Sequence, residues 1–166
     1  MDQYVFVALG SNIDDRLKYI NSAIASISLL EGISVLKKSS LLETAPVGVS
    51  GQKDYLNQVL LLKTSIEPFS LLRKFKNIEV LLGRVARERW AEREIDIDII
   101  LHGDFILNDE VLTIPHKEIL NRLFILKACV ELKPDFFVKA YGKTLVKLYE
   151  SLDDSVKQQE LKVFTS

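Results

Sequence analysis

The chain has 166 residues, of which 48% are hydrophobic and 27% are charged, and its formal net charge is −1. These values are typical of one globular domain, so we expect residues 1–166 to form a single domain. The near-neutral charge disfavours general nucleic-acid binding, which needs a basic surface. The single cysteine, Cys129, excludes a disulfide within the chain. No apolar run is long enough for a membrane span, and no basic segment precedes the first apolar stretch, so we expect a cytoplasmic protein.

The pattern of apolar residues along the chain predicts alternating strands and helices. The elements expected in the first 103 residues are a strand at 4–10, a helix at 11–32, strands at 33–44 and 55–64, a helix at 67–83 and a strand at 94–103. Ser11 or Asn12 is expected to cap the first helix. The order βαββαβ is that of a ferredoxin-like fold of the α+β class, with helices packed on an antiparallel sheet. Residues 104–166 are expected to add a C-terminal hairpin, a helix at 121–132 and a helical tail.

The segment EIDIDII, residues 94–100, places two aspartates in an apolar strand. Because successive strand residues point to opposite faces, the isoleucines share one face and Asp96 and Asp98 share the other, roughly 7 Å apart. Two carboxylates in this arrangement can bind Mg²⁺, which commonly takes one or two carboxylates together with substrate phosphates. The alternative is a structural role, in which both aspartates form ion pairs with the arginines before them. Glu94 lies on the same face at the start of the strand, where we expect it to be solvated.

Four arginines crowd the loop that precedes this strand: Arg84, Arg87, Arg89 and Arg93. Guanidinium groups bind phosphate through paired hydrogen bonds, so cations beside a carboxylate pair indicate a polyphosphate substrate. A solvated charged loop is the alternative. Trp90 lies among the arginines, and a tryptophan in an exposed loop favours a contact residue over one that packs back onto the core.

Two further segments carry polar groups that could bind a ligand. Tyr55 and Asn57 share one face of the strand at 55–64, and an aromatic ring beside a carboxamide suits a flat heterocycle with hydrogen-bonding edges. Taken alone, the pair is better explained as an edge-strand tyrosine beside a solvated asparagine. His116 and Arg122 could extend the phosphate site, although a histidine after a proline in a turn is usually only a polar loop residue.

The sequence has neither a Walker A loop nor a G-x-G-x-x-G nucleotide fingerprint. It does resemble the 6-hydroxymethyl-7,8-dihydropterin pyrophosphokinases of folate biosynthesis. The resemblance rests on RWAEREIDIDII together with ALGSN, ETAPVG, DYLNQV, LLGR and LTIPH…NRLFIL, which follow the family's order and spacing from residue 4 to about residue 134. Several motifs in register are more specific than any one of them.

The resemblance implies transfer of an intact diphosphate from ATP to the hydroxymethyl group of the pterin, with release of AMP. It implies that two magnesium ions bind Asp96 and Asp98, and that Arg84 and Arg93 act in catalysis from a mobile loop. The residues that it assigns to ATP are Glu79, Arg89, Trp90, Arg93, Thr113, His116 and Arg122. The residues that it assigns to the pterin are Thr44, Val47, Tyr55, Asn57, Trp90 and Phe124. The expected partners are these small molecules, without nucleic acid or membrane, and the protein is expected to be a monomer.

The chain departs from the family pattern at a few positions. Ala91 and Glu92 stand where many members have Gly-Pro, and Lys117 stands where others carry an aromatic residue or proline. Two other functions remain open. One is a non-enzymatic ferredoxin-like module that binds a nucleotide or RNA, since such sheets can display aromatic rings for stacking bases. The other is a different ATP-dependent kinase, which would release ADP; a metal requirement and the nucleotide product distinguish the three functions.

Overall fold

The computed structural model describes residues 1–165. Its strands are β1 Gln3–Ser11, β2 Ile33–Lys38, β3 Leu42–Thr44, β4 Tyr55–Thr64, β5 Asp96–His102, β6 Leu107–Asn108, β7 Thr113–Ile114, β8 Phe137–Val138, β9 Lys143–Thr144 and β10 Lys162–Val163. Its α-helices are α1 Arg16–Ser28, α2 Pro68–Leu81, α3 Leu123–Leu132, α4 Leu145–Glu150 and α5 Asp154–Lys157. None of these helices combines the length and the apolar character that crossing a membrane requires.

A six-stranded antiparallel sheet forms the centre of the structure. β1 lies between β4 and β5, and β2 and β3 both pair with the other edge of β4. β10 pairs in turn with β3. The order β5-β1-β4-β2 is that of the ferredoxin-like fold, in which the first and third strands of the βαββαβ unit are central. The topology therefore agrees with the fold class predicted from the sequence.

Both faces of the sheet are covered by helices. Val5 and Leu60 belong to the core beneath α1 and α2, whereas Phe6 and Leu61 point the other way, into the core that α3 and α4 complete. The central strands are thus buried on both faces, which explains why β4 contains the uninterrupted apolar run VLLL instead of an alternating pattern. The two helices of the βαββαβ unit form one layer and the C-terminal helices form the other.

The first helix begins later than the sequence predicted. Asp14 has a φ of 53°, in the left-handed region, so the chain cannot continue directly from β1 into a right-handed helix. The cap is Asp15, whose Oδ1 accepts a hydrogen bond from Lys18 N at 3.0 Å. The prediction that Ser11 or Asn12 caps this helix was wrong, and Asn12 has a different role in the site.

The structure also divides the strand predicted at 33–44. The ladder is interrupted between β2 and β3, where the backbone N–H of Ser39 donates to Val59 O and the Ser39 hydroxyl accepts from Val59 N, both at 2.9 Å. The predicted helical tail is correct for α4 and α5. It missed β10, a two-residue strand whose only sheet partner is β3. This strand returns the C-terminal segment to the edge of the central sheet.

Candidate active site

The two aspartates of β5 lie on the face that the sequence predicted. Ile95, Ile97 and Ile99 are buried under α1 and α2. The side chains of Asp96 and Asp98 point away from them and are 22% and 47% exposed. Both carboxylates can therefore be reached from solvent, although they stand on a strand whose opposite face is buried.

Asp96 forms the ion pairs that the structural alternative predicted, but they do not fully offset the effect of burial on its carboxylate. Its Oδ1 lies 3.0 Å from Arg84 Nη1 and 3.3 Å from Arg93 Nη1. Burial and the charge of Asp98 nevertheless raise the pKa of Asp96 above its usual value, against the opposing effect of the two arginines. Asp98 has a weaker contact, 4.0 Å to Lys76 Nζ. The two arginines therefore do not fully offset the cost of keeping Asp96 ionised in this environment, a cost that an additional cation would lower.

The donor set suits magnesium bound together with a phosphate substrate. Within residues 1–165 there is no group of three or more His, Cys, Asp or Glu side chains placed to hold a metal. A metal held by the protein alone is therefore not indicated at Asp96 and Asp98. Magnesium commonly uses only one or two carboxylates and completes its shell with water and substrate phosphates. The residues present fit that kind of site.

Glu79, on α2, connects Arg84 to the strand that carries the aspartates. Its carboxylate is almost fully buried; Oε1 accepts from Ile97 N at 2.7 Å and from Lys76 Nζ at 3.0 Å, while Oε2 pairs with Arg84. Burial tends to lower the pKa of Arg84, but the charges of Asp96 and Glu79 outweigh it and raise the pKa. Glu79 thus fixes both a catalytic candidate and the backbone between the two aspartates.

Asn12, in the motif ALGSN, ties β1 to two loops at once. Its Oδ1 accepts from Arg93 N at 2.8 Å and its backbone N–H donates to Arg93 O at 3.1 Å. Its Nδ2 donates to Gln52 Oε1 at 3.2 Å, and Gln52 Nε2 donates to Trp90 O at 2.8 Å. Sequence analysis missed this role because it treated Asn12 as a helix cap. The available signal in the sequence was an asparagine that directly follows an apolar strand.

The arginine loop presents its aromatic residue to solvent. Trp90 is 55% exposed, so the alternative in which it packs onto the core is wrong. The guanidinium of Arg89 lies over its ring, 5.1 Å from the centroid, and Arg93 Nη2 donates to Arg89 O at 3.0 Å. Val47, in the loop before β4, is similarly exposed. Both loops therefore carry apolar side chains that are free to cover a ligand.

Arg87, also in the arginine loop, has a structural role. Arg87 pairs with Glu94 at 2.6 Å, and Glu94 is buried. The hydrogen bond from Arg87 lowers the pKa of Glu94 despite the opposing effect of burial. The prediction that Glu94 is solvated was therefore wrong, because its partner comes from the loop seven residues earlier.

Asn57 and Tyr55 form a second polar surface on β4, next to the aspartates. Asn57 is buried, and its Nδ2 donates to Thr44 Oγ1 at 2.9 Å and to Leu42 O at 3.2 Å, so the alternative of a solvated asparagine is wrong. Burial and the charge of Asp96 raise the pKa of Tyr55. Facing Asn57 on β1 is a glycine, where an added Cβ would lie 3.4 Å from Asn57 Oδ1. The glycine thus keeps this carboxamide oxygen open.

The chain after β5 adds further candidates to the same region. Burial lowers the pKa of His116, and its Nδ1 accepts from Glu118 N at 3.2 Å, so the neutral ring carries its proton on Nε2. Thr113 lies in β7, with Oγ1 3.5 Å from Asp109 O. Arg122, at the start of α3, is half-exposed, 3.8 Å from Glu118. Its charge lowers the pKa of both His116 and Tyr55, so it lies within electrostatic range of both residues.

Phe124 stands in the first turn of α3, on the same side of the sheet as Asn57. It is largely buried in the core that includes Leu42 and Val59, which are neighbours of Asn57 in the sheet. The structure thus brings candidates from β3, β4, β5, α3 and the arginine loop to one side of the sheet. These segments are separated by up to 80 residues in sequence.

Comparison with known proteins identifies this arrangement. The family model for 7,8-dihydro-6-hydroxymethylpterin-pyrophosphokinase matches residues 6–134. The chain belongs to the 7,8-dihydro-6-hydroxymethylpterin-pyrophosphokinase family. The 2-amino-4-hydroxy-6-hydroxymethyldihydropteridine pyrophosphokinase of Bacillus subtilis is 39% identical over 132 residues, which are 80% of this chain and 79% of the relative. The enzyme of the same name from Haemophilus influenzae is 37% identical over 130 residues, 78% of this chain and 81% of the relative.

Solved structures support the pyrophosphokinase fold. The Plasmodium falciparum HPPK-DHPS structure with pteroate superposes with a TM-score of 0.71 at 16% identity, covering 90% of this chain and 42% of that one. The same protein with pterin and p-hydroxybenzoate gives a TM-score of 0.70 at 17% identity, with 90% and 43% coverage. The ferredoxin-like fold and the family resemblance drawn from the sequence are both confirmed.

Proposed function

We propose that the side of the sheet bearing Asp96, Asp98, Asn57 and Arg122 is the active site of a pyrophosphokinase that consists of one domain. The chain is an enzyme of folate biosynthesis, a 2-amino-4-hydroxy-6-hydroxymethyldihydropteridine pyrophosphokinase that uses ATP. The observation that supports the location best is the carboxylate pair of β5, whose partly exposed oxygens share one face of the strand and lie beside Arg84 and Arg93. We further propose that the enzyme acts as a cytoplasmic monomer whose partners are its small-molecule substrates.

Asp96 and Asp98 would hold two magnesium ions through their exposed oxygens. Bound there, the ions would neutralise the triphosphate and stabilise charge on the oxygens of the transferred group. Only the ionised carboxylates can bind them, so metal binding competes with the proton that burial favours on Asp96. Lys76, between Glu79 and Asp98, limits the negative charge when no substrate is bound.

Arg84 and Arg93 would bind the phosphates and stabilise negative charge on the departing AMP. Each is positioned before substrate arrives: Arg84 by Glu79, and Arg93 by two backbone hydrogen bonds to Asn12. Donors that are fixed in advance need little reorganisation during phosphoryl transfer, which depends mainly on positioning and charge stabilisation. We propose that Glu79, assigned to ATP by resemblance, acts on the nucleotide through Arg84.

The remaining nucleotide contacts would come from both sides of the site. Neutral His116 offers an Nε2–H donor to phosphate. The half-exposed guanidinium of Arg122 offers two parallel N–H donors. Thr113 would lie near the nucleoside. Arg89 and Trp90 would contact ATP from the arginine loop, where they already stack on one another.

The pterin would bind at Asn57 and Tyr55. The contacts of the Asn57 side chain with Thr44, Leu42 and the Tyr55 carbonyl all use Nδ2, which leaves Oδ1 to accept from a ring amino group. Thr44 and the strand β3 hold the carboxamide in that orientation. Tyr55 and Phe124 would supply ring faces, and exposed Val47 and Trp90 would cover the site when the two loops close.

Asn57→Ala tests the placement of the pterin. It should weaken pterin binding by about 1–3 kcal/mol, because a polar edge of the ring loses its partner, and leave binding of a magnesium–ATP analogue nearly unchanged. Calorimetry with each ligand separately measures both affinities. Asn108→Ala, at an exposed position of β6, is the matched control. Equal losses for the two ligands would reject this placement.

A further inference from the structure

The helix α3 begins with an unusual residue at its cap. The first amides of a helix have no intrahelical partner, and Ser, Thr, Asp or Asn commonly supplies one from the N-cap position. Here the N-cap residue is Arg122, whose side chain makes no capping hydrogen bond. The amide of Leu123, the first helical residue, donates instead to Gln159 Oε1 at 2.9 Å. The first free amide of the helix is therefore satisfied by a side chain 36 positions further along the chain.

The same carboxamide makes a second bond on the other side of Arg122. Gln159 Nε2 donates to Asn121 O at 2.7 Å. One side chain thus fixes the backbone groups immediately before and after the arginine. The arginine side chain itself stays half-exposed, and within residues 1–165 its ion-pair partner is Glu118 at 3.8 Å. The backbone at this position is held while the guanidinium remains available.

Gln159 is itself held by the fold of the C-terminal segment. Its backbone N–H donates to Val156 O at 3.1 Å, just after α5. Three residues later the chain enters β10, which pairs with β3, and Phe164 N donates to Leu41 O at 2.9 Å. The carboxamide is thus presented from a backbone anchored on both sides. This segment lies beyond residues 6–134, which the family model matches.

We propose that Gln159 is a positioning residue for the nucleotide: its carboxamide binds the backbone on both sides of Arg122 and so holds the phosphate-binding arginine in place. The inference rests on the phosphate-binding role proposed above for Arg122.

The consequence of losing Gln159 is a less precisely held arginine. Leu123 N and Asn121 O would then pair only with water, and the backbone on both sides of Arg122 would gain freedom. The paired hydrogen bonds from a guanidinium to a phosphate depend on distance and angle, so a small displacement of the arginine weakens them. A net hydrogen-bond contribution of about 0.5–1.5 kcal/mol corresponds to a change in dissociation constant of roughly two- to tenfold.

The test compares Gln159→Ala with Gln158→Ala, a neighbour of the same residue type that is likewise exposed. Calorimetry measures the dissociation constant of the magnesium complex of α,β-methylene ATP. We expect Gln159→Ala to raise it roughly two- to tenfold, with kcat at saturating substrates changed less than twofold, and Gln158→Ala to leave both unchanged. Hydrogen exchange at the Leu123 amide should become faster in Gln159→Ala alone, which reports loss of the cap directly.

A double-mutant cycle separates positioning from general stability. If Gln159 acts through Arg122, Gln159→Ala should have almost no effect on nucleotide affinity in an Arg122→Ala background. An effect of equal size in both backgrounds overturns the inference, as does an unchanged affinity of Gln159→Ala in the parent chain. An unchanged affinity of Arg122→Ala instead contradicts the phosphate-binding role proposed for that arginine. A loss in Arg122→Ala without one in Gln159→Ala leaves that role standing and rejects only the positioning role.

Discussion

Replacing Asp96 by asparagine separates the metal-binding role of this residue from its ion pairs. The substitution keeps the shape of the side chain but removes one of the two carboxylates of β5. We expect kcat to fall by about a thousandfold, on the order of 4 kcal/mol, because the remaining carboxylate must hold the metal charge alone. Arg84 keeps its pair with Glu79, and Arg93 keeps its bond to Arg89 O, so both should stay in place.

The same substitution should lower turnover without lowering the stability of the fold. Since burial raises the pKa of folded Asp96, the native state binds a proton more tightly than the unfolded chain does. In the metal-free protein, the stability that the protonated carboxyl contributes to the fold is therefore lost as pH rises from the unfolded pKa of about 3.9 through the raised folded pKa. Asp96→Asn removes that loss, so its free energy of unfolding should equal or exceed that of the parent chain at pH 7.

The assay is urea unfolding of both proteins in EDTA at pH 7, together with steady-state turnover in magnesium. Asp104→Asn, at an exposed turn after β5, is the matched control and should change neither quantity. A variant that keeps near-normal turnover would refute the metal-binding role. A variant that is clearly less stable than the parent would show that the ion pairs to Arg84 and Arg93 are the main purpose of Asp96.

Two other predictions concern loop closure and pH. Trp90 is the single tryptophan, so its fluorescence reports on the arginine loop alone. Its emission should shift more with an ATP analogue and pterin together than the sum of the separate shifts, and each ligand should raise the affinity of the other by the same factor. Additive shifts with unchanged affinities would exclude closure of the loop over both ligands. Burial lowers the pKa of His102, whose Nε2 is 2.9 Å from Ile66 O. As pH falls below about 6.5, the unfolded chain therefore takes up a proton at this residue before the folded protein does, and the free energy of unfolding decreases. In urea unfolding at pH 5 and 7, His102→Gln should lose part of this pH dependence, and an unchanged dependence would contradict the burial argument.

The parts of the fold that local sequence determines were predictable. β4 was predicted with the bounds that it has, because an uninterrupted run of strand-forming residues is enclosed by polar turns. The aspartates of β5 were placed on the correct face because the side-chain period of a strand is fixed. The start of α1 was missed, since the left-handed backbone of Asp14 has no reliable signature in a single sequence. β10 was missed because two residues carry no periodicity, and only pairing with distant β3 defines it.

The burial of site residues depended on partners that sequence spacing does not reveal. Asn57 was expected to be solvated when considered alone, but Thr44 and Leu42 on the neighbouring strand supply hydrogen-bond partners for its carboxamide. Glu94 was expected to be exposed, but Arg87 pairs with it. The tie between Asn12 and Arg93 joins residues 81 apart. The family motifs located these positions, whereas the hydrogen bonds that orient them required the structure.

The most direct measurement of the central claim is the nucleotide product of a single incubation. The protein is mixed with ATP, magnesium and 6-hydroxymethyl-7,8-dihydropterin, and the nucleotides and pterins are separated by chromatography. Transfer of an intact diphosphate predicts AMP and pterin diphosphate in equal amounts, and no product without magnesium. ADP as the main nucleotide product, or no turnover with all three present, would contradict the account.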